Sequence, residues 1–200
     1  MSLVMVPGIG GSGTEHWQSV WERGDATAIR IAPAGWDAPD LEDWLRAIDT
    51  AVARSVEPTV LVAHSLGTLA ATEWLRRGGR AAGAFLVAAP DDHAPAFPAR
   101  EASTFVGLTR ERLRVPALLV ASSDDPYASV EASSSLASQW GATLIVAGPI
   151  GHINSASGLG GWRPGRDMLT AFVAAVSAPG ADERFNRLSD RLGDIAQVAL

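Results

Sequence analysis

Three residues capable of covalent catalysis together stand just where apolar runs give way to loops. They are Ser65 in Ala63-His64-Ser65-Leu66-Gly67, an aspartate in Ser122-Ser123-Asp124-Asp125-Pro126-Tyr127, and His152 in Gly151-His152-Ile153-Asn154. A serine hydroxyl becomes a nucleophile when an imidazole removes its proton, and a carboxylate fixes the imidazole's tautomer and stabilises its cation. Such a trio carries out acyl transfer. Ser65 follows the apolar run Thr59–Ala63 and precedes a helical pattern, so it is expected on a sharp strand-to-helix turn. That turn strains the serine backbone and needs small residues two before and two after. Gly67 fits, and Ala63 stands where glycine is usual. The plainer alternative is a serine acting only as a helix N-cap.

Four histidines compete for the role of base. His64 adjoins Ser65 and is expected to project away from the reacting side of its hydroxyl. His16 lies upstream near the first loop, and His93 follows the fourth apolar run. His152 is preferred because it lies just beyond the last apolar run. A developing oxyanion needs N–H donors, which hydrolases with this kind of turn take from the residue after the nucleophile and from an early glycine-rich loop. Those would be Leu66 and Ile9, the latter within Pro7-Gly8-Ile9-Gly10-Gly11-Ser12-Gly13.

The same loop supports a rival reading. Gly8, Gly10 and Gly13 match the dinucleotide-binding fingerprint of nucleotide-dependent oxidoreductases. That motif calls for an acidic residue at the end of the second strand, where this chain has Ala32-Pro33. It also leaves Ser65, His152 and the aspartates without a role. A second rival is a hydrolase fold used only as a binding module, because fold does not fix function.

The elements that must position these residues can be read from hydrophobic pattern. Nearly continuous apolar runs at Leu3–Val6, Ala28–Ala32, Thr59–Ala63, Ala84–Ala88, Ala117–Ala121 and Thr143–Ala147 predict six buried parallel strands. Helical spacing appears in Leu41, Trp44, Leu45, Ile48 and Val52 behind Asp40 as N-cap. It appears again after Ser65 as far as Gly78-Gly79, and from Pro164 through Met168, Leu169, Phe172, Val173 and Val176. The alternation predicts a doubly wound, mainly parallel six-stranded α/β sheet over residues 1–178. The stretch 91–114 is the longest irregular connection, expected to border the site and too short for a separate cap domain. Phe185, Leu188, Leu192 and Ile195 predict a C-terminal amphipathic helical extension over 179–200. It would dock on its own domain or on a second subunit, a route to homo-oligomers.

Composition excludes several classes. The 200 residues carry a net charge of -6 without a basic run, which argues against nucleic-acid and anionic-membrane partners and for a small molecule. There is no cysteine, and all 16 strongly basic residues are arginine. Thiol nucleophiles, disulfides, thiolate metal sites and lysine Schiff bases are therefore excluded. With no membrane-length apolar stretch and no leader pattern, the chain is expected to be cytoplasmic.

The segments Val6–Trp17, Ala63–Gly67, Ser122–Tyr127 and the run from Gly151 through Ser155-Ala156-Ser157-Gly158-Leu159-Gly160-Gly161 to Trp162 resemble the compact serine hydrolases that include retinoblastoma-binding protein nine and bacterial relatives. Ala63 and Ala128 are modest departures from that pattern. The resemblance spans about the first 178 residues. It implies an α/β-hydrolase core without a large cap, a Ser65-Asp125-His152 triad, and hydrolysis of small carboxylic esters or related acyl compounds with no cofactor or metal. In that fold the acid commonly precedes a Pro-hydrophobic turn, which selects Asp125 and leaves Asp124 in reserve. Of the tryptophans near the loops, Trp17, Trp36 and Trp162, the last is expected to line the substrate pocket; His16 would bind substrate or, with Trp17, brace the first loop. Lacking a lid, the site is expected to be shallow and to suit short esters.

Overall fold

The computed structural model describes residues 1–56 and 58–178; the expected helical extension over 179–200 lies outside them. Six strands, β1 (Ser2–Val6), β2 (Ala28–Arg30), β3 (Thr59–His64), β4 (Gly83–Val87), β5 (Ala117–Ala121) and β6 (Thr143–Val146), form one sheet in the order β2-β1-β3-β4-β5-β6. Every pair is parallel. All loops that leave the strands therefore emerge at one edge, where ligands of open α/β sheets bind.

Among the described residues, five helices cover the sheet: α1 (Trp17–Arg23), α2 (Leu41–Arg54), α3 (Leu66–Arg76), α4 (Val130–Trp140) and α5 (Arg163–Ser177). Alternate strand residues serve the two faces. Val4, Val6, Leu61 and Ala63 join Trp44, Leu69 and Trp140 beneath α2, α3 and α4. Leu3, Met5, Val60 and Val62 join Trp17, Trp21, Leu169 and Phe172 beneath α1 and α5. A sheet buried on both faces explains why its central strands read as unbroken apolar runs.

The edges depart from expectation. β2 ends at Arg30 rather than Ala32, because Pro33 has no N–H to extend the pairing and Ile31 makes the last bond, to the Met5 carbonyl at 3.1 Å. β2 and β6 have one paired neighbour each and are only partly buried, so apolar runs alone overstated their burial. The connection from β4 to β5 contains a single 3-10 turn (Ser103–Phe105) and no α-helix. Asp40 caps α2 as expected, accepting from the Asp43 N–H at 2.9 Å. No helix among the described residues is long and apolar enough to cross a membrane.

Candidate active site

β3 delivers Ser65 to the sheet edge at φ 51°, ψ -130°, a conformation costly to any residue with a side chain. Three contacts hold it there. Its N–H donates to the Val87 carbonyl at 3.0 Å, and its carbonyl accepts from the Thr68 N–H at 2.8 Å and the Thr68 hydroxyl at 2.7 Å. The turn also requires Gly67, where a Cβ would lie 2.2 Å from the Val6 carbonyl oxygen and 2.4 Å from that of Pro7. Both obstacles are backbone of β1 and its loop, so neither can swing aside. Gly67→Ala is expected to destabilise the fold by about 3 kcal/mol or more, because relief demands separating α3 from β1. Urea denaturation measures this, and a loss under 1 kcal/mol would contradict the close approach.

Around this turn the Ser65 hydroxyl lies 2.8 Å from His152 Nε2. On the far side of the imidazole, Nδ1 lies 2.9 Å from both carboxylate oxygens of Asp125. Both side chains are buried, at 8% and 3% exposure. A carboxylate can only accept, so Nδ1 carries the hydrogen and Nε2 presents its lone pair to the serine. Asp124 does different work. Its Oδ1 accepts from the Ser122 hydroxyl and from the Gly151 N–H, each at 2.7 Å, and so ties the loop that bears His152 to the end of β5.

The remaining histidines separate clearly. His93 is exposed and away from the cavity. His64, expected to project away, instead lines the cavity: its Nε2 donates to the His152 carbonyl at 3.0 Å, and the two rings lie 5.0 Å apart. His16 caps α1 through Nδ1, which accepts from the Gln18 N–H, and its ring packs edge-on against His64. Burial, aided by the Arg30 charge and by His152, pulls His16 down to about 4, while burial first and then His152 and His16 hold His64 well below the ordinary value. In the unfolded chain these rings take up protons near 6.5, but folded His16 stays neutral until about pH 4. The unfolded state then binds more protons in that window, so stability falls as pH drops from 6.5 toward 4. His16 alone accounts for about 3 kcal/mol at the acid end, and His64 acts in the same direction. Urea midpoints should fall across this range and fall less in His16→Asn; a flat profile would contradict it.

The glycine loop after β1 lies against the serine: a Cβ on Gly8 would come within 2.8 Å of Ser65 Cβ. Ile9 of this loop lines the cavity together with Leu66 at the start of α3, where first-turn N–H groups have no partner within the helix. Gly10, Gly11 and Ser12 all have positive φ, and two side chains secure the loop. Arg30 from β2 donates to the Gly11 and Ser12 carbonyls and the Ser19 hydroxyl, and is itself paired with Glu22. The fully buried Gln18 donates to the Val62 carbonyl at 3.0 Å and accepts from the Ser12 hydroxyl at 2.7 Å. Sequence reasoning missed both. Neither belongs to a motif, although a glutamine buried among the tryptophans of α1 is an oddity.

Trp162 corrects an expectation. It is 4% exposed, stacked parallel on Trp21 at 6.0 Å and packed beneath α1 and α5 rather than lining the cavity. The geometry at the head of α5 draws it inward, since Gly165 lies flat against its ring. Trp17 does reach the histidine loop, where its indole N–H donates to the Ile153 carbonyl at 2.8 Å. The irregular connection borders the site as expected, through Ala96, Phe97 and Pro98, and Tyr127 packs on the His152 ring at 4.4 Å.

Comparison with known proteins now decides the family. The profile described as serine hydrolase matches residues 3–171. The chain belongs to this serine hydrolase family. A protein described as a YdeN-like hydrolase from Pectobacterium atrosepticum is similar at 34% identity, over 88% of this chain and 91% of that one, with a TM-score of 0.78. The ydeN gene product of B. subtilis is similar at 24% identity, over 86% and 98%, with a TM-score of 0.72. Est1E from Butyrivibrio proteoclasticus, seen with ferulic acid bound, shares the fold at 14% identity, over 86% and 90%, with a TM-score of 0.63. No curated protein matches the chain. This serine hydrolase thus has the α/β-hydrolase fold in compact form, and its described residues form no large cap. Its glycine loop packs against Ser65, and the family assignment displaces the nucleotide-dependent oxidoreductase reading.

Proposed function

We propose that this serine hydrolase cleaves small carboxylic esters or related acyl compounds through a Ser65-His152-Asp125 triad at a nucleophile elbow. The observation that carries this reading is the unbroken hydrogen-bonded series from the Ser65 hydroxyl through both nitrogens of His152 to Asp125, set at a strained turn. Ser65 Oγ attacks the acyl carbonyl as its proton passes to His152 Nε2. The carbonyl oxygen, now negative, accepts from the Ile9 and Leu66 N–H groups. The imidazolium, stabilised by Asp125, then protonates the departing alcohol as the tetrahedral intermediate collapses to an acyl-enzyme. Water, deprotonated by the same nitrogen, releases the acid and restores the serine.

The site supplies nucleophile, base and donors from its own side chains and backbone. His64 and His16, both neutral, place no positive charge beside the imidazolium as it forms. Hydrolysis of a short-chain 4-nitrophenyl ester, together with fluorophosphonate labelling located at Ser65 by mass spectrometry, tests the proposal. A folded protein that neither turns over the ester nor takes up the probe would favour a hydrolase fold used only for binding.

A further inference from the structure

The loop that carries His152 is strained at the very next residue. Ile153 stands at φ 49° with its side chain wholly buried, a conformation that a β-branched residue keeps only where its surroundings enforce it. Two buried rings supply that enforcement. The His152 carbonyl accepts from His64 Nε2–H at 3.0 Å, and the Ile153 carbonyl accepts from the Trp17 indole N–H at 2.8 Å. Consecutive carbonyls are thus held by donors from separate elements, the end of β3 and the start of α1. On the other side of His152, the Gly151 N–H donates to Asp124 Oδ1 at 2.7 Å.

The His64 donor has little freedom to swing away. Its residue is 4% exposed, the His16 ring packs on it at 4.7 Å, and the Trp17 ring meets it edge-on at 6.0 Å. His64 also directly precedes Ser65, so the segment that carries the nucleophile grips the backbone that carries the base. A side chain locked by packing fixes the position of one relative to the other. The chemistry demands this, because the Ser65 hydroxyl lies 2.8 Å from His152 Nε2 and a misplacement of about 1 Å can cost about 100-fold in rate. Asp125 orients the imidazole, but its bonds end on the ring and leave the main chain to other partners.

We propose that His64 is a positioning residue for the general base: together with Trp17 it clamps the carbonyls of His152 and Ile153, and so sets the reach of His152 Nε2 to Ser65. The proposal rests on the triad reading and extends it to the residue before the nucleophile. His64 acts through His152, without itself touching the reacting atoms.

Three variants test this. His64→Leu removes the donor and keeps an apolar side chain in its place. His64→Gln restores a donor, since its amide nitrogen is as many bonds from the backbone as Nε2 is. Trp17→Phe removes the indole N–H and keeps an aromatic ring. Hydrolysis of 4-nitrophenyl acetate and butyrate is measured per Ser65 labelled by a fluorophosphonate at completion, so that unfolded protein is not counted. The value of kcat/KM should fall by about 10- to 100-fold in His64→Leu, return to within about threefold of native in His64→Gln, and fall by about 3- to 10-fold in Trp17→Phe. The loss should be the same for both esters, because the base serves each of them; a loss that depends on the ester would make His64 a substrate contact and overturn the proposal. The proton between His152 Nδ1 and Asp125 resonates far downfield, as the charged acceptor strengthens its bond. That resonance should shift or broaden in His64→Leu and recover in His64→Gln. A merely structural His64 would lower the urea midpoint of His64→Leu while kcat/KM per labelled site and the resonance stayed native. That pattern, or a His64→Gln protein as impaired as His64→Leu, would overturn the proposal. Trp17→Phe decides even if His64→Leu does not fold: native kcat/KM and resonance there would also defeat the clamp. Native protein that fails to label at Ser65 defeats the triad together with this inference, whereas normal labelling beside an unimpaired His64→Leu defeats this inference alone.

Discussion

Ser65→Ala is expected to lower turnover of a short activated ester by about four to six orders of magnitude and to abolish fluorophosphonate labelling. The change removes one oxygen, and with it the 2.8 Å contact to His152 Nε2. It leaves the strained turn in place, because the turn is enforced by backbone bonds to Val87 and Thr68 and by the packing of Gly67 on β1. Stability should therefore change by no more than about 1 kcal/mol, a value that an N-cap serine would also give. Activity separates the two roles: an N-cap serine could be removed without touching chemistry. His152→Ala should be nearly as damaging, since members of a triad act as a unit. Because burial makes His64 and His16 weaker bases and their rings are held in hydrogen bonds to the His152 carbonyl and the Gln18 N–H, neither is placed to take over the proton from Ser65. A folded Ser65→Ala protein with native turnover and labelling would remove the basis for the triad.

The residues closest to the chemistry were legible because each follows a strand at the same sheet edge, and the parallel arrangement itself could be read from unbroken apolar runs. Position and chain order pointed to Ser65, His152 and the aspartate pair, whereas preferring Asp125 to Asp124 rested on the family resemblance. The surroundings were less accessible, for a physical reason. Arg30 acts through a side chain that crosses from β2 to the loop after β1, and Gln18 joins the Ser12 hydroxyl of that loop to the Val62 carbonyl of β3. Such contacts depend on three-dimensional approach and leave no periodic trace. Trp162 failed in the opposite way: its closeness in sequence to His152 suggested the pocket, but an α-helix starting at Arg163 turns its ring into the core beneath α1 and α5. His64 was misread because adjacency to Ser65 was taken to mean opposite orientation. At this turn the positive φ of Ser65 breaks the simple alternation of a strand, and His64 reaches the carbonyl of His152.

Asp125 and Asp124 are adjacent, yet substitution should affect them very differently. Asp125→Asn is expected to lower kcat by about 10⁴-fold with the fold intact, because asparagine can present its N–H2 to His152 Nδ1 and so stabilise the tautomer with the hydrogen on Nε2. That tautomer would offer Ser65 a donor where it needs a base. The amide also lacks the charge that stabilises imidazolium as the proton arrives. Asp124→Asn retains an oxygen able to accept from the Ser122 hydroxyl and the Gly151 N–H, the two bonds that anchor the histidine loop. Its side chain makes no hydrogen bond to His152, so the loss of charge should reach the reaction only through loop position, lowering kcat by less than about tenfold. Asp124→Ala, which removes both anchoring bonds, should fall between the two and should be accompanied by lower stability. Steady-state kinetics on all three variants, with circular dichroism as a check on folding, separates the roles. Comparable losses in Asp125→Asn and Asp124→Asn would mean that the carboxylate facing His152 in this structure is not by itself the triad acid.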